Sequence, residues 1–264
     1  MRRVFGSILA GALLPCCTPR TSAPALETPT GEAGVEDTEA PVERDEAAEP
    51  DAGQPSKAPE RVDIDINDDY VKQTNPERWA GRFEREGREV FDHRDAILGQ
   101  LGLREGMAVA DVGAGTGLFT LAMAETVGST GKVYAVDVQS YFLDHIGQKA
   151  RAAKLDNVVL VRADQGSAKL PEGAVDLVLM CDSYHHVEQP AAYLASLKAA
   201  LRPGGRLVII DYIAIEGTSE AWMLEHVRAT PSAFRAEIES AGLRFVRAHE
   251  GVLVENFFYE FERP

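Results

Sequence analysis

The sequence predicts an α/β protein with a doubly wound, mostly parallel seven-stranded sheet that ends in an antiparallel hairpin. Short apolar runs alternate with stretches of helical periodicity between residues 108 and 211. These runs are apolar at successive positions, as in parallel strands that helices cover on both faces. Two further runs near the C-terminus have no helical stretch between them, which predicts the hairpin.

A single helix is predicted at residues 75–101, ahead of the sheet. Pro76 suits its first turn, and Val90, Ile97 and Leu101 share one face. The five parallel strands that follow are predicted at residues 108–112, 132–137, 158–161, 175–180 and 207–211. The helices between them are predicted at residues 118–127, 141–155 and 193–201.

The last part of the chain is predicted to be one helix followed by two strands. Thr230 and Pro231 form an N-cap and a first turn, and Gly242 ends the helix. Residues 243–248 and 256–261 are rich in aromatic and aliphatic residues, and no helix fits between them. They are therefore expected to pair in the antiparallel sense.

Composition divides the chain into segments 1–17, 18–60 and 61–264. The middle segment has eleven acidic residues against three basic ones, no aromatic residue and few large aliphatic residues. Such a segment buries too little apolar surface to offset the entropy lost on ordering, so it is predicted to be a disordered acidic linker. The last segment is long enough to form one domain with a full core.

The first segment resembles a bacterial export signal. Arg2 and Arg3 precede an apolar run at residues 4–14 that is too short to span a bilayer. Cys16 and Cys17 follow, in the order typical of a lipoprotein, although a proline stands before Cys16 where such signals have a small residue. The expectation is an exported protein anchored through a lipid on Cys16 or Cys17. The alternative is an uncleaved hydrophobic N-terminus on a cytoplasmic protein.

The charge of the chain disfavours nucleic-acid partners. The formal net charge is −15, of which residues 61–264 carry −9 without a basic stripe. Nucleic-acid binding depends on Lys and Arg side chains that neutralise phosphates. Cys181 is the only cysteine in this segment, so the fold is expected to depend on its core and not on an internal disulfide.

A glycine-rich motif follows the first predicted strand. Asp111 precedes Gly113, Gly115 and Gly117 in the spacing acid-x-G-x-G-x-G. Glycines at a strand–helix junction let the backbone turn sharply and approach a ligand closely. A dinucleotide-binding loop would have its third glycine where this chain has Leu118, which disfavours a nicotinamide oxidoreductase.

Three more features accompany the motif. Asp137 ends the second strand, Asp164 follows the third, and Leu-Arg-Pro-Gly-Gly at residues 201–205 leads into the fifth. Together with the glycine motif and the terminal hairpin, they resemble the class I S-adenosylmethionine-dependent methyltransferases over residues 101–261. The resemblance is to the small-molecule branch that includes the ubiquinone and menaquinone C-methylases, and it implies a Rossmann-like sheet.

The resemblance implies S-adenosylmethionine as the cofactor. Asp137 would take both ribose hydroxyls, and Asp164 would lie near the adenine amino group. Asp111, with the carbonyls of Gly113 and Cys181, would accept from the methionyl ammonium, and the methionyl carboxylate would lie at the helix N-terminus after the glycines. The cofactor-binding residues expected on this basis are Asp111, Gly113, Gly115, Gly117, Asp137, Asp164 and Cys181.

The segment after the fourth strand holds the candidate catalytic residues, His185 and Tyr184. It lies at the carboxyl end of the sheet, where ligands bind in such folds. Either side chain is a candidate to take a proton from an acceptor that must lose one. A structural role is favoured for His186, which is expected to face the protein, while the role of His185 stays open. Two adjacent histidines without further ligands at suitable spacing do not predict a metal site.

The function predicted is methyl transfer to a small-molecule acceptor through an O, N or C nucleophile that the sequence does not name. No Asn/Asp-Pro-Pro-Tyr/Phe motif follows the fourth strand, which disfavours nucleic bases and glutamine as acceptors. Tyr70, Trp79 and Phe83 are candidate lid residues, and Trp222 and His226 share a helix face. The alternative is a non-catalytic, membrane-tethered binding module of the same fold, because the cofactor is made in the cytosol whereas the N-terminus predicts export.

Overall fold

The computed structural model describes residues 65–264. The predictions for residues 1–17 and 18–60 lie outside the described residues. The helices are α1 (Asp68–Lys72), α2 (Pro76–Phe83), α3 (Glu89–Asp92), α4 (Arg94–Gln100), α5 (Thr120–Val127), α6 (Ser140–Ala152), α7 (Pro190–Ala200), α8 (Ala221–His226) and α9 (Pro231–Ser240). The strands are β1 (Ala108–Val112), β2 (Lys132–Asp137), β3 (Val158–Arg162), β4 (Val175–Cys181), β5 (Leu201–Tyr212), β6 (Arg244–Ala248) and β7 (Asn256–Glu262). Single 3-10 turns lie at Asp65–Asn67 and Tyr184–His186.

The seven strands form one sheet in the order β3-β2-β1-β4-β5-β7-β6. Strands β1 to β5 are parallel, and β7 is antiparallel to both β5 and β6. The predicted hairpin is present, with β7 as its inner strand. The strand order runs outward in both directions from the β1–β4 pair, and ligands bind at the carboxyl ends of strands at such a switch point.

Both faces of the sheet are buried, as the apolar strands predict. In β4, Val178 and Met180 pack into one hydrophobic cluster, whereas Leu177 and Leu179 pack into a second cluster. Successive side chains of a strand point to opposite faces, so the two clusters lie on opposite sides of the sheet. This burial explains why the strands are apolar at every position instead of alternating.

The single helix predicted at residues 75–101 is wrong, because α2, α3 and α4 occupy this region. Gly87 has a φ of +83°, which interrupts the helical backbone before α3. The carboxylate of Glu89 accepts hydrogen bonds from the amides of Glu255 (2.9 Å) and Asn256 (3.0 Å), at the start of β7. Local periodicity carries no information about a partner so far along the chain.

The last helix has the ends that the sequence predicts. The hydroxyl of Thr230 accepts from the amide of Ala233 at 3.3 Å, and Gly242 has a φ of +81° beyond the helix. Within residues 65–264, no helix is long and apolar enough to cross a membrane.

Candidate active site

The loop between β1 and α5 has a conformation that requires its glycines. Gly113, Gly115 and Gly117 have φ angles of +73°, +52° and +84°, a region that residues with a Cβ rarely occupy. A Cβ on Gly113 would lie 2.5 Å from the Cβ of Ser183, just after β4. The loop therefore packs directly against the turn after β4, and a larger residue would push the two segments apart.

Asp137 holds this loop from the end of β2. Its carboxylate accepts hydrogen bonds from the amides of Gly115 (2.9 Å) and Gln139 (2.8 Å). The residue is 7% exposed, and burial raises the pKa of its carboxyl to about 6. A carboxylate has about four acceptor positions, so Asp137 can still accept from the hydroxyl groups of a ligand.

Asp111 is a second buried carboxylate, near the end of β1. The residue is 3% exposed, and one of its oxygens accepts from the hydroxyl of Thr120, in the first turn of α5, at 2.5 Å. Burial is the main cause that raises the pKa of Asp111 to about 6, and the negative charge of Asp137 adds to it. Acidic side chains on two neighbouring strands thus flank the glycine loop.

Asp164 lies apart from this pair, in an exposed turn after β3. Its carboxylate accepts from the amide of Gly166 (3.0 Å) and pairs with Lys169 (2.7 Å). The hydrogen bond from Lys169 lowers the pKa of Asp164. Within residues 65–264, its side-chain hydrogen bonds and its ion pair all stay in this turn, so the structure does not join Asp164 to the other two carboxylates.

Cys181 ends β4 at the same edge of the sheet, and burial raises the pKa of its thiol. The next residue, Asp182, has a left-handed φ of +47° that turns the chain sharply. Asp182 is held there by the guanidinium of Arg88 (2.6 Å) and the side-chain amide of Asn256 (2.6 Å). These contacts fix the direction in which the following turn leaves the strand.

Tyr184, the second candidate catalytic residue, lies in the core of the protein. Its side chain is fully buried, and its hydroxyl donates to the carboxylate of Glu237 on α9. Arg228 pairs with the same carboxylate at 2.7 Å, and its guanidinium lies 5.2 Å from the centre of the Tyr184 ring. The phenol therefore anchors the turn in the core against α9.

His185 is held by the end of β5. Its Nδ1 lies 2.6 Å from one oxygen of Asp211, and its backbone amide donates to the other oxygen at 3.0 Å. The amide of Tyr212 also donates to Asp211. Burial raises the pKa of Asp211 to about 7, and when Asp211 is ionised the Nδ1 of His185 carries the hydrogen of their contact. The Nε2 then has a lone pair, and it has no hydrogen-bond partner in the described part of the chain.

His186 is held by the first 3-10 turn. Its Nδ1 lies 2.8 Å from Oδ1 of Asn67, whose side-chain nitrogen donates to the His186 carbonyl (3.1 Å) and to Glu188 (2.9 Å). His185 is 1% exposed while His186 is only partly buried, so the expectation that His186 faces the protein more than His185 is wrong. Both side chains are nevertheless anchored by hydrogen bonds.

A third histidine joins this pair. The ring centroid of His226, at the end of α8, lies 5.0 Å from that of His185 and 5.4 Å from that of His186. Trp222 lies 6.3 Å from His226 on the same helix, as their spacing predicts. Burial lowers the pKa of His185 to about 3 and the pKa of His186 well below its usual value, so both rings are neutral at neutral pH.

The candidate lid residues lie together over the glycine loop. Trp79 stacks on Tyr70 at 4.6 Å and on Phe83 at 5.3 Å between ring centroids. A ring carbon of Phe83 lies 3.7 Å from the position that a Cβ on Gly115 would take. Tyr70 meets the ring of His186 edge-on at 5.2 Å. One aromatic stack therefore reaches from the glycine loop to the histidines.

Residues 109–205 match a family described as a methyltransferase domain. A solved S-adenosylmethionine-dependent methyltransferase from Aquifex aeolicus is 30% identical, with a TM-score of 0.63 over 72% of this chain and 99% of that chain. The chain belongs to the S-adenosylmethionine-dependent methyltransferases. The fold class and the cofactor predicted from the sequence are thereby confirmed.

The chain is also similar to a demethylmenaquinone methyltransferase from Staphylococcus aureus, at 31% identity over 118 residues. The match covers 45% of this chain and 48% of that protein, so the chain spans about half the length of the curated relatives it matches. The [4+2]-cyclase SpnF is 21% identical, with a TM-score of 0.54 over 63% of each chain. That likeness shows the fold alone.

The site fits S-adenosylmethionine. Residues 113–119 carry no lysine or arginine, which suits a ligand without phosphates. The three glycines of the loop carry no Cβ, so a ligand can approach the loop backbone closely. Asp111 and Asp137 offer acceptors for an ammonium group and for hydroxyls, the groups that S-adenosylmethionine presents.

Sequence reasoning missed four residues that position the site: Asn67, Arg88, Asp182 and Asp211. Arg88 and Asn67 pair with the turn after β4 from 94 and 119 residues away, and no local signal announces such contacts. Asp211 did have a signal, because it is an acid at the end of a buried strand, as Asp137 is.

Proposed function

We propose that this chain transfers the methyl group of S-adenosylmethionine to a small-molecule acceptor that binds over the turn after β4. The observation that carries the proposal is the pair of buried carboxylates, Asp111 and Asp137, beside the left-handed glycine loop. Burial raises the pKa of both carboxyls, so a ligand that donates hydrogen bonds to them offsets their lost hydration.

Asp137 is proposed to accept from the ribose hydroxyls, and Asp111 from the methionyl ammonium with the help of two backbone carbonyls. Asp164 is proposed to lie near the adenine amino group. The residues proposed to bind the cofactor are Asp111, Gly113, Gly115, Gly117, Asp137, Asp164 and Cys181. The family membership and the geometry of the loop support this set.

S-adenosylmethionine supplies a methyl group on a positively charged sulfur, which leaves as a neutral thioether. The protein's part is to align the acceptor and to exclude water, and alignment alone can supply up to about 7–11 kcal/mol. Tyr70, Trp79 and Phe83 form an apolar cover suited to this task. Relatives named for methylating demethylmenaquinone support a small-molecule acceptor, with the methylated atom left open among O, N and C.

The imidazole of His185 is the candidate group to take a proton from an acceptor that must lose one. Asp211 holds Nδ1 of His185, and Nε2 of the same ring has a lone pair and no protein partner within residues 65–264. A carboxylate that fixes the tautomer of a histidine base is a recurring arrangement in catalysis. His185 is therefore proposed as the catalytic base. Because burial lowers its pKa to about 3, it takes a proton only from an acceptor that becomes more acidic as the methyl group is transferred. Tyr184, whose hydroxyl donates to Glu237, is the less favoured candidate.

Calorimetry on the full chain tests the cofactor half of the proposal. Asp137→Ala removes a charged acceptor, and hydrogen bonds to charged groups are worth about 1.5–3 kcal/mol. Affinity for S-adenosylmethionine should fall by about one to two orders of magnitude. Asp144→Ala, which removes an exposed carboxylate on α6, is the control. Binding of the Asp137 variant at wild-type strength would remove this residue from the site.

Mass spectrometry of hydroquinones, phenols, amines and thiols after incubation with the cofactor tests methyl transfer. Once an acceptor is found, His185→Asn should lower turnover by about 10²–10⁴-fold if the ring is the base. Cofactor affinity and melting temperature should then hardly change. A chain that binds the cofactor yet methylates no compound supports the alternative of a non-catalytic binding module.

A further inference from the structure

Three imidazoles meet at the turn after β4. His185 and His186 lie in the turn, and His226 ends α8. One ring nitrogen of each lies within 4.8 Å of a ring nitrogen of the other two. We propose that these three histidines bind a divalent transition-metal ion of the zinc class. The inference goes beyond the proposed methyl transfer. It uses the same atom, Nε2 of His185, so an ion bound there would prevent this ring from acting as a base; metal binding is measured without turnover, and the two proposals therefore fail separately.

The hydrogen bonds of two of the rings leave a nitrogen free to bind a metal. The amide nitrogen of Asn67 donates twice, so its Oδ1 is the acceptor and Nδ1 of His186 must carry the hydrogen. The same reasoning, with Asp211 as acceptor, applies to His185. In both neutral rings the Nε2 lone pair is therefore available.

His185 gives the second and independent observation. Its Nε2 is buried and has no hydrogen-bond partner in the described chain, and the centre of the ring lies 4.1 Å from that of His186 and 5.0 Å from that of His226. Burying an imidazole nitrogen without a partner is unfavourable, and such atoms in a folded protein call for a ligand that the protein atoms do not supply. A metal ion bound to this Nε2 would also bind one ring nitrogen of His186 and one of His226.

The hydrogen bonds made by Nδ1 of His185 and of His186 are typical of metal-binding histidines. Such rings usually donate their second N–H to a carboxylate or a carbonyl, which fixes the tautomer and the ring orientation. Asp211 and Asn67 have this relation to His185 and His186, at 2.6 and 2.8 Å. Imidazole ligands suit zinc, copper, nickel and iron, and three of them leave a coordination position for water or another ligand.

Modest movement closes the site around an ion. Zinc–nitrogen distances of about 2.0–2.1 Å place tetrahedral ligands about 3.4 Å apart, against the 4.8 Å limit found for these rings. His226 is the ring best able to move, since it is only partly buried and ends a six-residue helix. Asp211 places a negative charge beside the cluster, and Arg82 on α2 opposes it.

Cobalt(II) titration of the full chain tests the proposal, with untagged protein treated first with a chelator. Absorbance should show one cobalt ion per chain in a tetrahedral site, displaced by one equivalent of zinc. His226→Ala should weaken cobalt binding by at least about tenfold, the scale set by loss of even an outer-shell contact. His145→Ala, which removes another partly buried histidine on α6, should bind cobalt as the wild type does.

Two further measurements distinguish a folding defect of the variant from loss of His226 as a metal ligand. The metal-free His226→Ala and wild-type chains should melt at the same temperature. His226→Cys should restore cobalt binding and add an intense thiolate-to-cobalt band that the wild type lacks. A wild-type chain that leaves the cobalt spectrum unchanged, or a His226→Ala chain that binds cobalt as tightly as the wild type, would overturn the proposal.

Discussion

Asp137 is buried and accepts a hydrogen bond from the glycine loop, and we therefore expect ligand binding to depend on pH. Burial raises its pKa to about 6, and the pKa of Asp111 to the same value. The carboxylate form, which accepts from the ligand, is nearly complete at about pH 7.5 and falls to about one tenth at pH 5. The affinity for S-adenosylhomocysteine is therefore expected to fall by at least about tenfold between these pH values.

Calorimetry at the two pH values measures this directly. Asp137→Asn has no charge at either pH, so its affinity should be lower at about pH 7.5 and should change less on acidification. Circular dichroism at the lower pH controls for unfolding. Equal affinity of the wild type at both pH values, with the fold intact, would show that neither carboxyl titrates in this range.

The two carboxylates were predictable because their signal is local. Each lies at the end of a buried strand, and the carboxyl ends of parallel strands share one edge of the sheet. The direction of Tyr184 was not predictable, because it is set by Glu237 on α9, 53 residues further along the chain. Sequence spacing places a residue in a turn but does not say which neighbour its side chain will meet.

At the scale of elements, the turn after β4 is fixed by the three elements that surround it. α9 holds Tyr184, β5 holds His185, and the first 3-10 turn holds His186. Arg88, between α2 and α3, pairs with Asp182 at the base of the turn. The turn thus has little freedom of its own.

Tyr184→Phe separates anchoring from catalysis. Loss of the hydroxyl removes one hydrogen bond from the buried carboxylate of Glu237, which keeps Arg228. The free energy of unfolding should fall by about 1–2 kcal/mol, which corresponds to roughly 2–8 °C in melting temperature. Cofactor affinity should stay at the wild-type value.

Thermal melting and calorimetry on the same samples check this result. Tyr134→Phe, a partly buried tyrosine on β2, provides the matched loss of a hydroxyl. A Tyr184→Phe chain that melts at the wild-type temperature but loses methyl transfer would show that the phenol takes part in catalysis.

Elements with a strong intrinsic period were predictable, and those shaped by distant contacts were not. The apolar runs of β1 to β5 mark strands covered on both faces, and the hairpin follows from the lack of a helix between its strands. The apolar residues of 75–101 have helical spacing, but Gly87 and tertiary contacts divide this region into three helices. Glu89 binds the start of β7, and this contact, with Gly87, sets where the helices break.

At the scale of the whole molecule, the cofactor half of the site depends on topology and the acceptor half on long-range pairing. The glycine loop and its two carboxylates lie together because β1 and β2 are neighbours in the sheet, and short sequence motifs mark the ends of both strands. The histidine cluster needs α8 to return His226 to the turn after β4, 40 residues beyond His186. This explains why adjacent histidines in the sequence did not predict a metal site, whereas the three rings together do suggest one.

The cellular location of the protein is predicted from residues 1–17. An apolar run at residues 4–14 followed by Cys16 and Cys17 predicts export and lipidation. Each buried CH₂ of an acyl chain contributes about 0.8 kcal/mol, so a cysteine with more than one chain gives stable anchoring. The full chain expressed in a bacterial host should therefore be recovered with the membranes.

Replacing both Cys16 and Cys17 by serine should move the protein to the soluble fraction, because the sites of lipid attachment are lost while the apolar run is unchanged. Cys181→Ser is the matched control, since it alters the one cysteine of residues 61–264 and should leave the distribution as in the wild type. Immunoblots of separated membrane and soluble fractions measure the change. If the double variant stays with the membranes, the hydrophobic N-terminus itself is the anchor; if the wild type is already soluble, the lipoprotein prediction is wrong.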